Sequence, residues 1–102
     1  MKGTEKQIAW AEDILNRFFA GIDEMIKQYE AESAEATGRM KRAAEKGAET
    51  YRQFKAIYQK ELTKPYWQEA AHIIEGRVVF ERTYKDLAFA RGTVRDELNR
   101  NI

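Results

Sequence analysis

The chain has 102 residues, with 18 Lys and Arg against 17 Asp and Glu, a formal net charge of +1 and no cysteine. The missing cysteine excludes a disulfide scaffold, a Cys-ligated zinc site and thiol catalysis. The longest stretches free of Asp, Glu, Lys and Arg, such as Phe18 to Ile22, are only five residues long, far short of the about 20 apolar residues that span a membrane.

Charged side chains make up 34% of the chain, and there is one proline. That is the composition of long amphipathic helices rather than of a disordered segment. One domain over residues 1–102 is expected, with a folded surface of about 6,000 Å² and roughly 65% of the unfolded surface buried. Neither a span nor a secretory signal is recognised, so the expected location is the cytoplasm.

Thr4 and Gln7 have the spacing of a capping box. After them Ile8, Ala11, Leu15, Phe18, Ile22, Met25 and Tyr29 recur at alternating steps of three and four, a coiled-coil-like seam. Ile14, Phe19 and Ile26 widen it into a broad apolar face. Asp13 with Arg17, and Asp23 with Lys27, are acid-first i,i+4 pairs for the wet side. These patterns predict a first helix over about 4–32.

Residues 30–50 are rich in alanine, but Gly38 and Gly47 each weaken a helix by about 1 kcal/mol relative to Ala. Met40, Ala44, Gly47, Tyr51, Phe54, Tyr58 and Leu62 form a second seam. The reading is a turn near Ser33 to Gly38, with Thr37 as cap, and a second helix over about 38–63. The two then form a long antiparallel hairpin. The rival is one unbroken helix from Thr4 to Leu62, a rod of roughly 85 Å, longer than base rates favour.

Lys64-Pro65 marks the next boundary, because proline suits a first helical turn and disfavours helix in the residue before it. A short helix over about 65–75 follows, stopped by Gly76 at C′, with Trp67, Ala71 and Ile74 facing inward. Val78, Val79 and Phe80 are too brief a run for a strand and begin a helix over about 79–90. Gly92 interrupts, Thr93 caps, and a last helix covers about 93–101. The fold class is therefore all-α, a hairpin with short C-terminal helices packed against it.

Chemistry has few footholds. His72 is the only imidazole. Glu69 and His72 have the Glu-x-x-His spacing of two-metal helical bundles, but such sites need a second copy, which a single histidine cannot supply. Ser33 is the only serine, with no His nearby in sequence and no Gly-rich elbow around it. No phosphate-cradling glycine motif occurs. The expectation is no enzyme, no catalytic residue, no metal and no cofactor.

Charge is split along the chain. Residues 1–36 hold four basic and eight acidic residues, and residues 37–102 hold 14 basic and nine acidic. One reading is mutual attraction between the two hairpin arms. The other is a nucleic-acid surface built from Arg39, Lys41, Arg42 and Lys46, or from Arg77, Arg82, Lys85, Arg91, Arg95 and Arg100. Acids interrupt both clusters, and the pI near 7.9 falls short of the basic value such domains usually show.

Aromatic residues are 12% of the chain: Trp10, Phe18, Phe19, Tyr29, Tyr51, Phe54, Tyr58, Tyr66, Trp67, Phe80, Tyr84 and Phe89. Helical spacing assigns most of them to the core. Tyr58, Tyr66 and Trp67, bunched about Pro65, are the candidate partner-binding patch, since exposed aromatics concentrate binding energy.

The opening Gly3-Thr4-Glu5-Lys6-Gln7-Ile8-Ala9-Trp10-Ala11-Glu12 resembles the start of short helical proteins, mostly without assigned function, of Gram-positive bacterial mobile elements and phages. A later Trp-containing helix ending in Arg, found in some of them, has a loose counterpart in Trp67 to Arg77. The resemblance brings no catalytic residues. It implies a small accessory protein that acts by binding, a class that includes inhibitors of host CRISPR nucleases. The expected function is a non-enzymatic protein-binding inhibitor of a mobile element, blocking a host defence nuclease. The alternatives are a nucleic-acid-binding accessory protein using the basic C-terminal two-thirds, and a structural oligomer, such as a homodimer, formed through the first seam.

Overall fold

A computed structural model describes the backbone of residues 1–85 and 87–100, and their side chains except those of Tyr84 and residues 87–90. Two of the aromatics counted above, Tyr84 and Phe89, thus have side chains outside the described residues, as does all of Asn101. The described residues are helical with no strand. In chain order come α1 (Glu5–Glu35), α2 (Gly38–Glu61), a 3₁₀ turn (Pro65–Gln68), α3 (Ala70–Glu75), α4 (Arg77–Lys85) and α5 (Leu87–Arg100).

The capping box forms as its spacing predicts. Gln7 N–H donates to Thr4 Oγ1 at 3.2 Å, and Thr4 N–H donates to Gln7 Oε1 at 3.0 Å. α1 then runs three residues further than expected and ends where Ala36 and Thr37 both turn to extended backbone. Gly38 has φ +61°, a conformation that glycine reaches at little cost. This two-residue break excludes the single rod. Thr37 occupies the N-cap position of α2, but its side chain makes no capping hydrogen bond.

α1 packs against α2, and α3 and α4 pack on α1 while α5 packs on α2 and α4. From α1 the core takes Ala11, Ile14, Phe18, Ile22 and Met25. From α2 it takes Ala44, Ala48, Tyr51 and Phe54, and from later elements Ala70, Ile73, Phe80 and Val94. Ile14 displaces Leu15 from the deepest positions, and Ala48 displaces Gly47. Met40, placed in the second seam by its spacing, is 74% exposed in the first turn of α2.

The Phe18 ring is the hub. It lies 5.1 Å from Phe19, 6.1 Å from Phe54, 5.2 Å from Tyr58 and 5.1 Å from Phe80, centroid to centroid. Edge-on and tilted pairs at these separations add to the area they bury. Charge joins the first two helices along their flanks. α1 holds eight acids to three bases and α2 seven bases to three acids. Arg52 bonds Glu30 at 2.7 Å, and Lys55 bonds Asp23 at 2.7 Å.

The C-terminal third departs from the expected boundaries. Residues 65–75 do not form one helix. Pro65 opens a 3₁₀ turn, and Glu69 is extended (φ −90°, ψ 116°) before α3 begins. The cause is the N-terminal segment: Lys2 N–H donates to the Gln68 carbonyl at 2.6 Å, and Ala70 N–H donates to the Lys2 carbonyl at 2.8 Å. Beside this isolated parallel bridge Ala70 and Ile73 take the fully buried positions, while Ile74 and Trp67 pack half-buried against the core as expected and Ala71 is half-buried.

Gly76 ends α3 with φ −86°, not in the left-handed conformation, and α4 starts at once at Arg77. α5 is continuous from Leu87 to Arg100, so Gly92 does not interrupt it and Thr93 does not cap it. The principal extents are 52 × 26 × 19 Å, the long one set by α1, about 46 Å of helix. This elongation explains an accessible surface of 6998 Å², above the roughly 6,000 Å² of a compact chain of this mass. Among the described residues no helix is long and apolar enough to cross a membrane.

Candidate functional site

Tyr58, Tyr66 and Trp67 adjoin one another: Trp67 meets the Tyr66 ring edge-on at 4.9 Å, and Tyr58 and Trp67 line one hollow with Glu61, Glu97 and Arg100. Tyr58 sits inside the aromatic cluster, 4.8 Å from Phe54 and 5.2 Å from Phe18. Burial raises its hydroxyl pKa, helped by Glu97 and Glu61 and opposed by Arg100. Trp67 is half-buried. It meets Phe80 edge-on at 5.7 Å, and its indole N–H donates to Glu61 Oε1 at 3.3 Å.

Glu61 also holds Lys64 at 2.6 Å. Its carboxyl titrates below the usual range, chiefly through the hydrogen bond from Lys64, aided by the one from Trp67. Only Tyr66 is well exposed, at 55%. Its ring stacks on His72 at 4.0 Å and 12°. His72 Nδ1 lies 2.7 Å from the Tyr66 carbonyl; a carbonyl only accepts, so Nδ1 carries a proton there. The lone imidazole thus fastens the 3₁₀ turn to α3.

Trp10, assigned to the core by its helix, is 47% exposed. The Arg77 guanidinium lies over its ring at 5.2 Å, a cation–π contact. Arg77 also donates to the Ile74 carbonyl at 2.8 Å, closing the end of α3. Arg77 is therefore committed to structure. Lys85 pairs with Glu81 at 3.6 Å, and Arg82 is exposed but already engaged with a neighbour.

Three other cations converge. Arg91 and Arg95, one helical turn apart on α5, face Lys46 of α2 across a shared cavity of about 270 Å³ that Tyr29, Tyr51 and Val94 also line. Lys46 and Arg95 continue into a groove of about 800 Å³, whose apolar walls are Ala56, Ile57 and Leu98. On the other side Arg91 borders a third hollow with Arg39, Met40 and Glu32.

The structure thus joins Arg39 and Lys46 of the first basic cluster read from the sequence with Arg91 and Arg95 of the second, and leaves Arg77, Arg82, Lys85 and Arg100 elsewhere, the last paired with Glu97 at 3.3 Å. No acid is among the described residues that line the first two hollows, and none is paired with Lys46, Arg91 or Arg95. Tyr51 adds a polar anomaly. Its hydroxyl is closed off from solvent with no hydrogen-bond partner, although the ring lines the 270 Å³ cavity. Burial raises its pKa, as does Tyr29, while Arg91 pulls it down. An orphan hydroxyl of this kind costs about 1–3 kcal/mol.

What sequence reasoning missed here was Tyr51, which the helical spacing assigned to the seam without its hydroxyl's needs being considered. With this geometry established, comparison with family models, curated proteins and solved structures returns no match.

Proposed function

We propose that this is a non-enzymatic binding protein: an accessory protein of a mobile element that acts in the cytoplasm by occupying and blocking a larger protein, such as a host defence nuclease. What supports the reading is the groove between α2 and α5, with apolar walls and uncompensated positive charge at one end. Hydrophobic walls supply affinity and aligned charge supplies selectivity in protein recognition.

The scaffold behind the groove is proposed to be an antiparallel hairpin of α1 and α2. Partner positions support this: Phe18 meets Tyr58, Asp23 meets Lys55, and Tyr29 meets Tyr51. Positions that rise along α1 pair with positions that fall along α2.

The test is a set of nuclease cleavage assays with the purified chain, together with co-purification. Complex formation with loss of cleavage is the expected outcome. Unchanged cleavage at saturating protein across several nucleases overturns the blocking role. A nucleic-acid role is favoured by one observation, the gathering of Arg39, Lys46, Arg91 and Arg95 along adjoining hollows. A gel-shift titration at low salt decides it, since phosphate binding is strongest there.

A further inference from the structure

We infer that the groove between α2 and α5 receives an acidic amphipathic helix of a partner protein. Its apolar side lies on Ala56, Ile57 and Leu98, and a carboxylate from its acidic side sits in the adjoining open hollow against Lys46, Arg91 and Arg95. This rests on the protein-binding reading above and adds the chemistry of the partner.

Two observations carry it. The groove, about 800 Å³, falls in the range of about 300–1,000 Å³ common to binding clefts. Lys46 and Arg95 line the groove and Arg91 joins them in the adjoining hollow, and no acid is among the described residues that line either; Glu32 borders only the third hollow, on the far side of Arg91. A carboxylate carries the charge these cations lack and can accept from more than one of them. A phosphate backbone fits the cations but not the apolar walls, which it would leave uncovered. Helix-in-groove recognition uses both.

The experiment measures fluorescence anisotropy of a labelled synthetic peptide of about four helical turns, with Leu at i, i+3, i+4 and i+7 and Glu between them. A scrambled peptide of the same composition is the control, and a random-sequence DNA duplex is the competitor. The patterned peptide is expected to bind about tenfold or more tighter than the scrambled one, and to weaken as salt rises.

Lys46→Glu and Arg95→Glu, both exposed and outside the core, are each expected to weaken binding about tenfold with thermal unfolding unchanged. Tyr51→Phe is expected to leave peptide binding unchanged while the unfolding temperature stays level or rises, because the unpaired hydroxyl it removes is closed off from solvent and so from the peptide.

Absence of binding, equal binding of the scrambled peptide, indifference to both charge reversals, or displacement by the duplex at lower concentration than by unlabelled peptide each overturn the inference. So does sedimentation showing that a second copy of the chain fills the groove. The assay contains no nuclease, so the two readings fail separately. Peptide binding without nuclease blocking sinks only the blocking role. Blocking that survives Lys46→Glu and Arg95→Glu sinks only the groove.

Discussion

The Tyr29 ring lies over Gly47 so closely that a Cβ at residue 47 would stand 2.6 Å from Tyr29 Cε1 and 2.7 Å from Cδ1. Gly47→Ala sets two effects against each other. Helix propensity favours alanine by about 1 kcal/mol, whereas overpacking a fitted site costs about 1–3 kcal/mol. The steric term is expected to win, with a net loss of about 1 kcal/mol in urea unfolding. In a Tyr29→Ala background the same substitution is expected to stabilise, by about 0.5–1 kcal/mol. That reversal of sign in a double-mutant cycle assigns the effect to this contact.

Phe18 touches four other rings at about 1% exposure. Phe18→Ala is expected to cost about 3–5 kcal/mol, much of the 5–15 kcal/mol that holds an ordinary domain together. Met40→Ser, in a seam position the structure leaves exposed, is expected to stay within about 0.5 kcal/mol of the parent. Calorimetric unfolding of both variants compares the true core with the sequence-derived one.

Gly3 has φ +144°, and a Cβ there would meet the Ala70 Cβ and Gln7 Oε1, both at 3.1 Å. Gly3→Ala is therefore strained by backbone and by crowding, and a loss of about 1–3 kcal/mol is expected. Hydrogen exchange locates it: the amides of Lys2 and Ala70, which make the bridge, are expected to lose protection before those of α2.

Burial raises the hydroxyl pKa of Tyr51 and of Tyr58 above the ordinary 10.0. For an acid raised in the folded state, stability is level below the unfolded pKa and falls as pH climbs past it, because only the unfolded chain then releases the proton. Above about pH 10 the chain is expected to lose stability at up to about 1.4 kcal/mol per pH unit for each tyrosine. Denaturant titrations across that range, with tyrosinate absorbance as a second signal, check it. Tyr51→Phe is expected to make the decline shallower.

The helical class and the first helix were legible because their signals are local. Thr4 and Gln7 sit three residues apart, and the apolar face repeats within two turns. The division of 65–75 was hidden because its cause, Lys2, lies at the other end of the sequence. Gly47 looked like a weak point in a helix, since spacing cannot reveal the ring that crosses it. Trp10 looked like core because its partner, Arg77, arrives from α4. The cationic cavity was half visible: both basic clusters could be read, but only folding selects Lys46 from one and Arg91 with Arg95 from the other.

The two hydrogen bonds between Lys2 and the 68–70 backbone also impose an order of assembly. Lys2 precedes Ala70 in the chain by most of the fold and must wait for it before this clasp can shut. α1 and α2 have neighbours in sequence with which to zip together, but the clasp closes a ring through almost the whole intervening chain and bears the entropy of that closure. The clasp therefore joins two segments that only the folding of everything between them brings together.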